Sequence, residues 1–170
     1  MARAHPTLAL RPYLPADAPL LAEIFRASVE ELAAEDYSEA QQAAWLSAAD
    51  DEGAFARELA QRVTLVATLD GSPVGFAALT APDRIAMLYV HPALANQGVA
   101  SMLIDAIEKL AGARGAARLV VDASEPARRL FEKRGYVAQQ RNTVLRAGEW
   151  LTNTTMEKRL STQGARDAGT

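Results

Sequence analysis

The stretch that most constrains this fold is Leu88-Tyr89-Val90-His91-Pro92-Ala93-Leu94-Ala95-Asn96-Gln97-Gly98-Val99-Ala100-Ser101-Met102-Leu103, in which a strand runs through a turn of small residues straight into an amphipathic helix. The first amides of a helix have no intrahelical partner, so this arrangement aims free N–H groups and the positive end of a helix dipole at one point. A pyrophosphate is the kind of anion such a point holds.

Composition limits what else the chain carries. With 170 residues, 49% of them hydrophobic, it can close one core, and a second full domain is not expected. A formal net charge of -3 without runs of like charge gives no electrostatic footprint for nucleic acid or an anionic membrane, which leaves small molecules or protein surfaces as partners. The absence of cysteine removes disulfides, thiol nucleophiles and Cys-based metal sites. Met1 to Pro6 includes a basic residue but no apolar run follows it, and no segment approaches the roughly 18 apolar residues of a membrane span. A cytoplasmic enzyme or binding module is the expectation.

Hydrophobic periodicity orders the elements. Thr7 to Tyr13 reads as a short strand ended by Pro12 and Pro15, and Asp17 or a neighbour caps a helix with apolar Leu20, Leu21, Ile24, Phe25, Val29 and Leu32 at helical spacing. Glu35-Asp36-Tyr37 breaks that pattern, and Ser38 with Gln41 reads as a capping box for a helix carrying Trp45 and Leu46. Ala54 to Gln61 adds a further turn or two. From Arg62 the period falls to two: a strand at Val63 to Leu69, a turn at Asp70 to Pro73, a strand at Val74 to Thr80, a turn at Pro82-Asp83 and a strand at Ile85 to Val90. A helix from Gly98 to about Ala113, a buried strand at Leu119 to Asp122, a helix from about Glu125 to Lys133, and strands at about Tyr136 to Val144 and Trp150 to Leu160 follow. The polar, aperiodic residues 161–170 read as a disordered tail.

This order resembles the GNAT superfamily of acyl-CoA-dependent N-acyltransferases over nearly the whole chain, from about Leu8 to Leu160. Leu88 to Leu103 is similar to that family's acyl-CoA pyrophosphate loop. Ala127-Arg128-Arg129-Leu130-Phe131-Glu132-Lys133-Arg134-Gly135-Tyr136 is similar to its A-x-x-L-Y-x-x-x-G-F/Y block. Trp150 to Asn153 with Met156 to Leu160 further resembles a YafP-like bacterial branch. The resemblance implies an α/β (α+β) fold: one domain over residues 7–160, with a mixed, mainly antiparallel sheet of about seven strands flanked by about four helices. It implies acetyl-CoA as co-substrate, no metal, and transfer of an acetyl group to a primary amine of a small molecule, peptide or protein by direct attack on the thioester. Cofactor contacts are then expected from Leu88, Tyr89, Val90, Asn96, Gln97, Gly98, Val99, Ala100, Ser101, Ser124, Ala127 and Phe131. An acceptor site is expected at Tyr37 and Trp45.

Three positions depart from the family pattern. Ala95 stands where the phosphate loop usually opens with Gln or Arg, which weakens a cradle made mainly of backbone N–H groups without abolishing it. Phe131 occupies the place of a Tyr thought to protonate the departing thiolate, so that acid is missing. A thiol with a reference pKa of about 8.5 leaves tolerably without one. Ser124 takes the place of a common Asn.

The attacking amine must lose a proton, since a lysine-type ammonium has a pKa near 10.4. Asp122 and Tyr89 are the catalytic candidates, with His91, Glu30, Glu31 and Tyr37 behind them. Each has a blander reading: Asp122 caps the next helix, His91-Pro92 shapes a turn, Tyr37 and Trp45 are core, and Arg128 and Arg129 are solvated rather than phosphate ligands. Glu30, Glu31, Glu35 and Asp36 favour a cationic acceptor if they line its cleft, and mark only a solvated helix end if they do not.

Rival classes lack their motifs: neither G-x-G-x-x-G nor G-x-x-x-x-G-K-[ST] occurs, and His5 and His91 are the only histidines. The remaining competitor is a non-catalytic acyl-CoA-binding sensor or interaction module, which Phe131 favours. A monomer or a homodimer through an edge strand both fit.

Overall fold

The computed structural model describes residues 6–161, so the tail expected from 161 onward lies outside the described residues except for Ser161. Seven strands form one sheet: β1 (Leu8–Pro12), β2 (Val63–Leu69), β3 (Ser72–Thr80), β4 (Arg84–Val90), β5 (Arg118–Ala123), β6 (Val137–Arg146) and β7 (Glu149–Arg159). Five helices accompany them: α1 (Ala18–Leu32), α2 (Glu39–Leu46), α3 (Glu52–Gln61), α4 (Val99–Ala113) and α5 (Glu125–Lys133). The strand order is β1-β2-β3-β4-β5-β7-β6, antiparallel throughout except between β4 and β5.

Local chemistry sets most of these boundaries. Asp70 at φ 50 and Gly71 at φ 87 make a two-residue turn, so β3 resumes at Ser72, earlier than the four-residue turn expected. Ala147 at φ 45 and Gly148 at φ 82 do the same between β6 and β7. The capping box forms: Ser38 Oγ accepts the Gln41 N–H at 3.1 Å, and Gln41 Oε1 accepts the Ser38 N–H at 2.9 Å. Asp17 is not a side-chain cap of α1; its carboxylate takes the Leu14 N–H and both Arg11 guanidinium nitrogens instead. Asp51 accepts the Ala54 N–H at 3.0 Å and so starts α3, a full helix of 10 residues where a turn or two was expected.

The sheet has a core on each face. Leu103, Ile104 and Ile107 of α4, with Phe131 of α5, pack on Leu79, Ile85, Leu119, Val121 and Met156. Leu21, Phe25 and Val29 of α1, with Phe55 and Leu59 of α3, pack on Val66, Phe76 and Leu151 of the other face. Each such side chain stabilises the fold by about 1.5–3 kcal/mol. Leu20 and Leu32, expected inward, are 46% and 41% exposed because they sit at the margins of the α1 stripe.

The feature that positions the site is the parting of β4 from β5. Their parallel pairing comprises only Arg84 with Val120 and Ile85 with Val121. The register of β4 against β3 jumps from Ile85 to Met87, which leaves Ala86 as an extra residue, a bulge that turns the strand. Beyond it the β5 side of β4 runs free.

Candidate active site

The gap between β4 and β5 opens a cleft of about 820 Å³ lined by residues of β4 to β7, α1, α2, α3 and α5. On one wall the backbone edge of Ala86 to Val90 offers unpaired donors and acceptors. Leu88 and Tyr89 line the cleft, whereas Val90 is buried and does not.

His91 shapes the turn that follows: its Nδ1 accepts the Ala93 N–H at 3.1 Å and its carbonyl accepts the Leu94 N–H at 2.9 Å. Asn96 at φ 62 and Gly98 at φ 84 then lift the chain into α4 through two left-handed residues. Gly98 is the N-cap and no side chain caps the helix there, in contrast to α2 and α3. The N–H groups of Val99, Ala100 and Ser101 therefore face outward without protein acceptors. A Cβ built on Gly98 meets nothing within 4 Å, so the space above this helix end is open. Asn96 and Gln97 are exposed beside it, while the Val99 side chain is 1% exposed in the core and contributes its amide alone. Gly75 was missed at the sequence level: a Cβ there would lie 3.1 Å from the Tyr89 carbonyl oxygen and 3.2 Å from Val99 Cγ1, so only glycine lets α4 dock this close to β3.

The opposite wall is β5 and α5. Ser124 is the N-cap of α5 and leaves its hydroxyl without a cap bond, lining the cleft with Ala127 and Phe131. Phe131 is 1% exposed and packs edge-on to Tyr136 at 5.0 Å, so it is a core residue at the cleft's floor. Arg128 pairs with Glu132 at 3.0 Å and Arg129 is exposed; neither lines this cleft, in line with the solvated reading.

On the side of α1 to α3 the cleft is walled by aromatic rings. Tyr37 is 6% exposed, donates its O–H to the Thr152 carbonyl at 2.8 Å and accepts the Glu125 N–H at 3.2 Å. Trp45 stands edge-on to Tyr37 at 5.4 Å and donates its indole N–H to the Tyr89 hydroxyl at 3.1 Å. Tyr89 in turn lies edge-on to Phe25 at 4.7 Å. Burial pushes the Tyr89 phenol up to about 12, so it is a neutral hydrogen-bonding group at pH 7.

Asp122 does not cap α5, because Ser124 holds that place. Its Oδ1 accepts the Thr155 hydroxyl at 2.7 Å, its Oδ2 pairs with Arg84 at 3.0 Å, and Thr155 Oγ1 accepts from Asn142 Nδ2 at 2.7 Å. This chain runs across the floor from β6 to β4. Arg84, Asn142 and Thr155 carried no local signal, since the network joins strands far apart in sequence. Glu30, Glu31, Glu35 and Asp36 are exposed and none lines the cleft, which removes the ground for expecting a cationic acceptor. Among the described residues no group of three or more His, Asp or Glu is placed to hold a metal, and no helix is long and apolar enough to cross a membrane.

Residues 33–160 match the family model described as an acetyltransferase (GNAT) domain. The chain is 35% identical over 144 residues to YafP of Escherichia coli (strain K12), an N-acetyltransferase described as uncharacterized, covering 85% of this chain and 91% of YafP. It is 62% identical to a GCN5-related N-acetyltransferase from Rhodopseudomonas palustris, with a TM-score of 0.88 over 94% of this chain and 99% of that one. The PaiA N-acetyltransferase of Thermoplasma acidophilum, solved in complex with coenzyme A, shares the fold at a TM-score of 0.75 and 18% identity, covering 90% of this chain and 99% of that chain. Parted strands, an uncapped helix start and the matching family sequence agree: this chain belongs to the GNAT acetyltransferase family and is an acyl-CoA-dependent N-acetyltransferase.

Proposed function

We propose that residues 7–160 act as one domain that binds acetyl-CoA across the parted strands and transfers its acetyl group to a primary amine of a small molecule, peptide or protein. The observation that carries this reading is the free edge of β4 from Ala86 to Val90, which leads directly to the uncapped start of α4. In this reading the pyrophosphate takes the amides of Gly98 to Ser101 with Asn96 and Gln97 beside them. The pantetheine arm pairs with the β4 edge, flanked by Leu88, Ser124, Ala127 and Phe131.

The amine enters between Tyr37, Trp45 and Tyr89. Its nitrogen attacks the thioester carbonyl carbon, a backbone N–H of the β4 edge stabilises the oxyanion, and collapse breaks the C–S bond to release the CoA thiolate. One such donor is worth roughly 2.7–4 kcal/mol in other acyl-transfer enzymes. Water carries the ammonium proton away. Both Asp122 oxygens are engaged and Tyr89 is neutral, so neither serves as a free base; Asp122 positions Arg84 and Thr155, and Tyr89 orients the acceptor. Phe131 has no proton to give, and the thiolate leaves unassisted or is protonated by water.

Whether a sensor without turnover fits better is answered by the acceptor side, whose ring wall and polar floor favour an enzyme. The reading further puts the protein in the cytoplasm, where acetyl-CoA is available, as a monomer or homodimer. Calorimetric titration of acetyl-CoA, followed by release of free CoA over a panel of amines, tests it. Micromolar binding and amine-dependent release support the proposal; binding with no release under any acceptor would favour the sensor, and no binding would overturn both.

A further inference from the structure

The charged residues lining the cleft are Glu58, Arg62, Arg84, Asp122 and Arg146. Two pairs among them are closed: Arg62 with Glu58 at 3.8 Å and Arg84 with Asp122 at 3.0 Å. Arg146 is the exception, with no carboxylate within ion-pair distance among the described residues. The cleft therefore presents one positive charge that closes no ion pair, the Glu149 carboxylate across the hairpin staying outside both ion-pair distance and the cleft lining, and both Asp122 oxygens are engaged.

The fold places that charge on the acceptor side. Side chains two apart on a strand share a face, so Arg146 lies on the same side of β6 as Val144 and Asn142. Asn142 faces inward, where its amide bonds Asn153 and Thr155. The hairpin that carries Arg146 is tied to the acceptor wall at two points: Gln41 Nε2 donates to the Trp150 carbonyl at 2.8 Å, and the Tyr37 hydroxyl donates to the Thr152 carbonyl at 2.8 Å. The turn of Ala147 and Gly148 fixes Arg146 opposite Glu149 at the hairpin's end. The Arg146 cation also lowers the Tyr89 phenol against the upward push of burial, so its field reaches the ring on which the amine would rest.

We infer that the acceptor carries, besides its amine, a compact acidic group, a carboxylate or a phosphate, that docks on Arg146 at the cleft mouth. This rests on the acetyltransferase reading above and deepens it by naming the acceptor class. An arginine fork takes either anion through paired N–H bonds, and the rings of Tyr37, Trp45 and Tyr89 cover the short apolar stem between acid and amine. Polyamines and other acceptors with a second positive charge are disfavoured, because Arg146 repels them.

The test compares acceptor pairs that differ only in the acid: β-alanine against its amide, and phosphoethanolamine against ethanolamine, each at matched free-amine concentration with saturating acetyl-CoA. The expected preference for the acidic member is about tenfold or more in kcat/KM, arising in KM. Arg146→Gln removes the preference and leaves the acetyl-CoA Kd unchanged; Arg146→Glu reverses it toward ethanolamine. The two pairs separate a carboxylate site from a phosphate site. Equal rates for the acidic and neutral members of both pairs, or an equal fall for both in Arg146→Gln, would overturn the inference. Should none of the four amines turn over, calorimetry of N-acetyl-β-alanine and N-acetylphosphoethanolamine into the CoA-loaded protein decides. Binding of either that is lost in Arg146→Gln supports the inference, and no binding by a protein that still takes acetyl-CoA refutes it alone. Failure to bind acetyl-CoA instead removes the reading beneath it.

Discussion

On the function proposed above, the cofactor and acceptor sides of the cleft are built from different material. The cofactor side uses backbone: the unpaired edge of Ala86 to Val90 and the amides at the start of α4, with glycines at 75 and 98 clearing the approach. The acceptor side uses side chains: a ring wall of Tyr37, Trp45 and Tyr89 over a polar floor of Arg84, Asp122, Thr155 and Asn142. Backbone groups are the same in every sequence, so a cradle made of them does not depend on the side chain at Ala95. Side-chain chemistry is specific, and a single substitution on the second side changes what is accepted.

Damage to one side should therefore leave the other intact. The largest effect is expected from Gly98→Asp, which puts a negative charge at the positive end of α4 in a residue held at φ 84. Acetyl-CoA affinity should fall about a hundredfold, near 2.8 kcal/mol by calorimetry; the Cβ meets nothing within 4 Å, so the only structural cost is backbone strain at the positive φ. Gly98→Asn, which tolerates the same φ, should lose much less and so separates charge from strain.

Alkaline titration probes the side-chain half next. Burial raises the phenols of Tyr37, Tyr89 and Tyr136, so the unfolded chain releases these protons first, and the stability they contribute is complete below pH 10 and lost as pH rises toward about 12. Tyr89 alone accounts for on the order of 2 kcal/mol. Denaturant melts of the wild type and Tyr89→Phe between pH 9 and about 12 should show the mutant falling less steeply; equal slopes would count against a buried Tyr89. Tyr37→Phe strands the Thr152 carbonyl and the Glu125 N–H, at a cost of about 1–3 kcal/mol. It should raise the acceptor KM without touching the acetyl-CoA Kd; a change in both would erase the division between the sides. The smallest effect is expected from Ser38→Ala, which opens the α2 capping box for about 1 kcal/mol and should appear as a lower Tm with acetyl-CoA binding unchanged.

How much of this the sequence discloses follows the same division. The strand-turn-helix around Gly98 is written locally, in a period that switches from two to 3.6 across small residues. The Ser38 and Gln41 box and the Asp70-Gly71 turn are equally local, because each depends on residues no more than three apart. The α3 helix was underestimated although Asp51, three residues before Ala54, carried a cap signal of the same kind. The Ala86 bulge is invisible in Ile85-Ala86-Met87, since it exists only through the pairing of β4 with β3. The floor network joins Arg84 to Asp122 across 38 residues and Asp122 to Thr155 across 33, distances over which periodicity carries nothing. The acidic run from Glu30 to Asp36 lies near the expected cleft in sequence alone, and its exposure away from the cleft leaves the other reading, a solvated helix end.

The strand order has a consequence for how the chain comes together. β7 is the last strand of the described chain to be synthesised, yet it lies between β5 and β6, and β5 is joined to β4 by only two residue pairs. Until β7 leaves the ribosome, the sheet can zip from β2 to β4 by neighbouring hairpins, with β1 paired to β2 across the three intervening helices, but β5 and β6 have no strand to hold them side by side. Its arrival registers six residues against β5 and brings the Thr152 carbonyl to Tyr37, a contact spanning 115 residues. Contacts of such long range form late because the loop they close is costly in entropy. The polar floor of the cleft is thus completed last, and a nascent chain stalled short of β7 would hold the start of α4 and the rings of Tyr37, Trp45 and Tyr89 without Thr155 to join Asn142 to Asp122 or the Thr152 carbonyl to anchor Tyr37.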